Sequence, residues 1–324
     1  MTPRPSYSIP SYRIKLRITS SSVILVEGDQ DKQAFRVLIA EARDAGWRLD
    51  RDVTIDAAES IIAGEEGVTN NREKVERVFE GLTDSLTLGR VVGFVDREYR
   101  GFDLEAPMDD IGAHYRVGRH VVWSRGHSIE NYFFDYMTIR QTIRAVAVTE
   151  RYDDAIRMLE AAFDDLLCLA CAIGLAGREH NRLSMLSATI DPASIVISDL
   201  GVDMVNDVWF DKLLRQGCDQ ARARSIIDSY KAWRAKLAAV SLETVRWLCH
   251  GHIGFRVIWA AYGHCILFVG GDENERARAH RAPHRTWTDV SAHVWSQRAM
   301  TASVDWPEVV LRMMGFVSPP ILDR

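Results

Sequence analysis

From Arg13 to Thr19 apolar and polar residues alternate, with Ile14, Leu16 and Ile18 on one side, which predicts a strand closed by Ser20-Ser-Ser22. Val23-Ile-Leu-Val26, Val91-Val-Gly-Phe-Val95 and His120-Val-Val-Trp-Ser124 are short continuous apolar runs, as expected of strands buried on both faces. Asp52-Val-Thr-Ile-Asp56 is a weaker strand of the same kind. Between them the period changes to 3.6. Phe35, Leu38, Ile39 and Ala42 predict a helix over Asp31 to Gly46, and Val75, Val78, Phe79 and Leu82 one over Asn71 to Leu82. Strand and helix in alternation imply an α/β domain, a parallel sheet flanked by helices.

Past residue 135 the pattern becomes helical. Asp153 to Ala176 and Arg222 to Leu248 read as long helices, and Cys265-Ile-Leu-Phe-Val269 as a late strand. The expected organisation is an N-terminal arm and edge strand (1–22), an α/β domain (23–148) and a mainly helical C-terminal domain (149–324).

Composition changes this picture little. At 324 residues, 47% hydrophobic, the chain has apolar surface for two cores, and a net charge of −5 confines any nucleic-acid contact to a local basic patch. Five cysteines make an odd number with no disulfide framework, which fits a reducing cytoplasm. The start, with Pro3, Pro5 and Pro10, lacks the apolar core of a signal peptide. Val257 to Gly271, interrupted by His264, is too short to span a bilayer.

The informative chemistry lies where strands end. The first buried strand runs into Glu27-Gly28-Asp29-Gln30-Asp31, the third into Asp96-Arg97-Glu98, and the fourth leads to His127-Ser-Ile-Glu130-Asn131. In an open parallel sheet these ends share one edge, and ligands bind there. Extended backbone would put Asp96 and Glu98 on one face. Gathered carboxylates repel unless some protonate or a cation sits among them, and oxygen-only donors suit Mg²⁺ or Mn²⁺. Each acid also has a plainer reading: Asp29 or Asp31 as a helix-start acid, Asp96 as a turn residue, Glu130 as a first-turn acid.

The run Val23-Ile-Leu-Val-Glu27-Gly28, with Asp31 four residues beyond Glu27 and Val95-Asp96-Arg97-Glu98 downstream, resembles the Toprim domain of topoisomerases, primases and certain nucleases. With His127-Ser-Ile-Glu-Asn-Tyr132 added, it is similar to a Toprim-like subgroup of phage-defence operons, found beside an ABC-type ATPase. The effector of the phage anti-restriction-induced system belongs to that subgroup. The resemblance covers residues 20–135. It implies a Toprim-like (Rossmann-like) sheet and a Mg²⁺- or Mn²⁺-dependent endonuclease acting as a toxic effector on RNA, tRNA before DNA. Glu27, Asp96, Glu98 and His252 would then be catalytic, and Glu27, Asp31, Asp96 and Glu98 metal ligands. Gly28, His127, Glu130 and Asn131 would support them. An ATPase partner is implied, and a homodimer is compatible with it. Cys249-His-Gly-His252 echoes a further family segment, with Ile253 where the family carries an Asp.

Arg276, Arg278, Arg281 and Arg285, followed by Trp287 and Trp295, form a basic arm suited to phosphates and bases, behind the acidic run Asp272-Glu273-Asn274-Glu275. His252 reads as a proton donor, a phosphate contact or a core histidine. Cys168-x-x-Cys171 lies inside an apolar helix and reads as core. Cys249, His250, His252, His264 and Cys265 lack the spacing of a zinc site. Two rivals stand beside the nuclease: a non-catalytic Toprim-fold subunit docking on the ATPase, and an enzyme for a small phosphorylated substrate.

Overall fold

The computed structural model describes residues 7–49, 51–62, 68, 70–105, 108–112, 117–118, 120–198, 201–279, 283–301 and 304–318. The chain forms two compact units, one of Met1–Arg97, Gly112–Tyr132 and Ser291–Arg324, the other of Glu98–Ile111 and Phe133–Val290. This division differs from a cut at residue 148. Glu98–Ile111 leaves the first unit early and Ser291–Arg324 returns to it, and local periodicity carries no signal of either move.

The first unit is α/β. Its sheet holds β1 (Ser22–Val26), β2 (Val53–Ala57), β3 (Val91–Val95), β4 (Val117–Gly118) and β5 (Val121–Trp123), in the order β2-β1-β3-β5-β4. The first four in that order are parallel, and β4 alone pairs antiparallel, on β5. All five residues of β1 and of β3 are buried. That is what continuous apolar runs demand once helices cover both faces. Helix α1 (Ile9–Ile18) and helix α3 (Asn71–Glu80) share a core with Val23, Leu25, Val91 and Val95. Helix α2 (Asp29–Asp44) meets the alternate residues, Phe35 standing edge-on to Phe94 at 4.9 Å between ring centres. Gly93 lets α3 sit close: a Cβ there would lie 2.9 Å from Val75 and 3.0 Å from Phe79. Gly93→Ala is therefore expected to cost about 1–3 kcal/mol of overpacking, read as a lower urea midpoint.

The predicted strand at Arg13–Thr19 is instead the end of α1, while the prolines at 3 and 5 lie outside the described residues. The buried residues are Ile9, Tyr12 and Leu16, a helical stripe, with Ser8 capping and Pro10 in the first turn, whereas Ile14 and Ile18 are exposed. Alternation over seven residues mimicked a strand because the stripe begins before it. The returning C-terminal segment packs by Trp306 against Trp47 and by Arg48 bridging Val317.

The second unit is mainly helical. Its main helices are α4 (Tyr136–Val146), α5 (Tyr152–Glu179), α6 (Gln220–Leu237), α7 (Leu242–Leu248), α8 (Gly251–Phe268), α9 (Glu273–Ala279) and the start of α10 (His284–Thr301). A hairpin, Ile195–Ser198 with Gly201–Met204, accompanies them. From Leu166 to Gly177 every residue of α5 is buried, and α8 and α6 pack against it. The late strand expected at Cys265–Val269 is the last turn of α8, which is apolar nearly all round because it is buried nearly all round. The single helix expected over Arg222–Leu248 breaks before Ser241, which caps α7. Among the described residues no helix is long and apolar enough to cross a membrane.

Candidate active site

Strand order fixes where chemistry can gather. From β1 the chain passes to β2 on one side, and then to β3 on the other. The crevice between the C-terminal ends of β1 and β3 is therefore the switch point of the sheet, the usual ligand position in such folds.

Glu27 and Asp96 stand on either side of that crevice. Val26 pairs with Phe94, so both acids come just past paired strand ends. The Asp96 amide donates to Glu27 Oε1 at 2.8 Å. Asp31, in the first turn of α2, is buried, and its Oδ2 accepts from the Gly28 amide at 2.9 Å. A Cβ at Gly28 would stand 3.1 Å from Glu59 Oε1, a tight contact that the Glu59 side chain would relieve by shifting a few tenths of an ångström. Glu130, buried in a short 3₁₀ turn after β5, is the neighbouring charge that acts most strongly on Asp31. Burial first, then the Glu130 and Glu27 carboxylates, push the Asp31 carboxyl up to about 8. The carboxyl groups of Glu27, Asp31 and Glu130 thus act on one another at this edge, and Asp96 is tied to them through its backbone amide.

Glu59 completes the group and was absent from the sequence reading. It lies in the turn after β2, accepts the Asp29 amide at 3.4 Å and adds to the charge raising Asp31. The signal that would have found it is the one that found the others, an acid just past a strand end. The strand itself was the weak one.

The supporting motif residues have distinct tasks. Asn131 is fully buried, and its Oδ1 accepts the Ser128 amide at 2.8 Å, closing the turn that presents Glu130. Tyr132 Oη accepts the Arg125 amide, and His127 is buried within the same turn. Arg97 is buried too. Its amide donates to Ser124 Oγ, its guanidinium to the Arg125 carbonyl, and these tie the loop after β3 to that after β5.

Glu98 corrects the expectation of a shared face with Asp96. Extended backbone ends at Val95, and Glu98 is exposed in a turn with φ of 53°. That left-handed conformation costs a glutamate roughly 1 kcal/mol. Glu98→Gly is expected to raise unfolding stability by up to about 1 kcal/mol in urea. A fall of that size would mean the side chain's contacts outweigh the strain.

The remaining candidates belong to the second unit. His252 is exposed at the start of α8. Arg276 pairs with Glu273, Arg285 lies 3.8 Å from Asp289, Arg278 is exposed, and Arg281 falls outside the described residues. The acidic run therefore neutralises part of the arm. All five cysteines are buried. Burial raises the thiols of Cys168, Cys171 and Cys249, as expected of core cysteines, and His264 Nε2 accepts the Ile197 amide instead of joining a metal set.

Among the described residues, no three His, Cys, Asp or Glu side chains already stand in metal-binding geometry. The acids at the switch point nonetheless fit a hard divalent cation by donor type, being oxygen-only and forced together with a buried carboxyl driven to keep its proton. No protein-family model matches the chain, and no curated protein matches it either.

Proposed function

We propose that the chain is a Mg²⁺- or Mn²⁺-dependent endonuclease of Toprim type, with Glu27, Asp31, Asp96 and Glu130 at its centre. The observation that carries this reading is the convergence of acids from three adjacent strand ends on the switch-point crevice, with the Asp96 amide held by Glu27. Glu27, Asp31 and Asp96 would hold the cation, which supplies positive charge to a scissile phosphodiester. Glu27, half-buried at the mouth of the crevice, is the group placed to move a proton. Glu130 adds negative charge beside Asp31, and Asn131 and Tyr132 fix the turn that carries Glu130. Glu98 is left out of this centre.

The resemblance to phage-defence Toprim-like proteins extends the proposal to a toxic effector that works beside an ABC-type ATPase, with RNA, tRNA first, as substrate. The test is incubation of the full chain with total tRNA and with plasmid DNA, in Mg²⁺, Mn²⁺ or EDTA. Metal-dependent cutting of either supports the nuclease and names its substrate class. No cutting of either, with the ATPase present as well as absent, favours the second reading, a non-catalytic subunit that docks on the ATPase. The bond from the Asp96 amide to Glu27 would then be Glu27's whole task.

A further inference from the structure

The last part of the chain grips both elements that carry the buried acids. From Ser291 onward, the end of α10 and the stretch behind it belong to the first unit. On one side they hold the turn after β5. Asp305 pairs with the Arg125 guanidinium, and the Trp295 indole N–H donates to the Asp305 carbonyl at 2.9 Å. The Trp295 ring packs on Tyr132 at 5.7 Å between centres, both side chains fully buried. On the other side they hold the end of α2. His293 Nδ1 lies 3.9 Å from Glu41 Oε1, and Trp306 stands edge-on to Trp47 at 5.2 Å. Arg48 and Val317 exchange both backbone bonds.

We propose that this segment is a brace that sets Glu130 against Asp31, with Asp305 and Trp295 as positioning residues of the candidate active site. Asp31 rides on α2 and Glu130 on a 3₁₀ turn of five residues, two separate stretches of chain. Glu130 is the neighbouring charge that acts most strongly on Asp31. Like charges in a buried place push apart, so the short turn that carries Glu130 needs a hold from outside. Bonds within the turn, such as that from the Ser128 amide to Asn131 Oδ1, close it without fixing its distance from α2. The Arg125 amide donates to Tyr132 Oη, so Asp305 on the Arg125 side chain and Trp295 on the Tyr132 ring steady the same bond. Helix α2 is continuous over 16 residues, and a hold on its last turns fixes the axis that carries Asp31. The proposal rests on the nuclease reading only for the activity that the brace governs.

The test is hydrogen exchange of the full chain in EDTA, which needs neither a cation nor cutting. Asp305→Ala is expected to speed exchange of the Arg125 and Ser128 amides about ten-fold, as for loss of a hydrogen bond to a charged group, and to leave β1 and β3 as slow as in wild type. Trp295→Phe keeps a ring for Tyr132 but loses the donor to Asp305, and should move the same amides less. Asp305→Asn keeps an acceptor for Arg125 and should recover most of the protection. Cleavage supplies the link to Glu130. Asp305→Ala should lower kcat about ten-fold with KM kept, and should have no further effect once Glu130 is replaced by glutamine. Exchange that rises equally through β1 and β3 would make Asp305 an ordinary stabilising residue and overturn the brace. Unchanged exchange in the folded variants overturns it, as does a loosened turn in a variant that cuts as fast as wild type. A wild-type chain that never cuts, with variants that loosen locally, keeps the brace and removes the nuclease. A chain that cuts, with variants that stay tight, does the reverse.

Discussion

Glu27→Gln is expected to lose at least about a thousand-fold in single-turnover cleavage while keeping its fold. A positioned acid–base group contributes roughly 10²–10⁴ in rate, and losing a charged ligand would weaken cation binding besides. Glutamine preserves the length of the side chain and an oxygen able to accept the Asp96 amide, so the tie between the ends of β1 and β3 survives. The melting temperature should therefore stay within a few degrees of wild type while the rate collapses. Cleavage within about three-fold of wild type would remove Glu27 from the chemistry and leave it a strut between two loops. A rate lost together with the fold would be uninformative for glutamine, and Glu27→Asp then serves. It keeps the charge but retracts the oxygen, and should recover cation affinity ahead of rate.

The sheet was legible in the sequence because burial on both faces leaves short continuous apolar runs, here separated by helices of clear period. Val23–Val26 and Val91–Val95 are apolar without interruption, and the helices between them carry clean stripes. The site followed from the sheet, since acids just past those runs must share an edge once the strands are parallel. What failed was context. Ile14 and Ile18 alternate with Leu16 as in a strand, yet only Leu16 is buried, and the stripe that decides the matter starts at Ile9. Cys265–Val269 is apolar enough for a strand but belongs to an 18-residue helix sunk in its own unit. Glu98 was placed by assuming that β3 ran on, and a left-handed residue is invisible where no glycine marks it. Glu59 was passed over because its strand carries the acids Asp52 and Asp56, of which Asp56 binds Lys15 and Tyr12 instead.

Asp31→Asn is expected to stabilise the cation-free protein at pH 8 and to abolish its stabilisation by Mg²⁺. The Asp31 carboxyl titrates near 8 when folded against about 4 when unfolded. Between those values the folded chain holds a proton that the unfolded chain has released. Stability therefore falls as pH rises through that window, by up to about 1.4 kcal/mol per unit, and levels off above pH 8. Asparagine carries no charge at any pH, and its oxygen can still accept the Gly28 amide at the start of α2. In EDTA the variant and wild type should melt alike near pH 4 and separate by several kcal/mol by pH 8. A divalent cation that binds the folded state alone stabilises it by mass action, so Mg²⁺ should lift the wild-type melting temperature at pH 8. It should barely move the variant, which lacks one of the proposed ligands. The plainer reading of Asp31 as an ordinary helix-start acid predicts the opposite. An ionised carboxylate satisfied by the Gly28 amide would make wild type flat or rising with pH, and asparagine the less stable of the two at pH 8. Urea or thermal melts of both proteins across this range, with EDTA and with Mg²⁺, separate a strained carboxylate waiting for a cation from a helix cap.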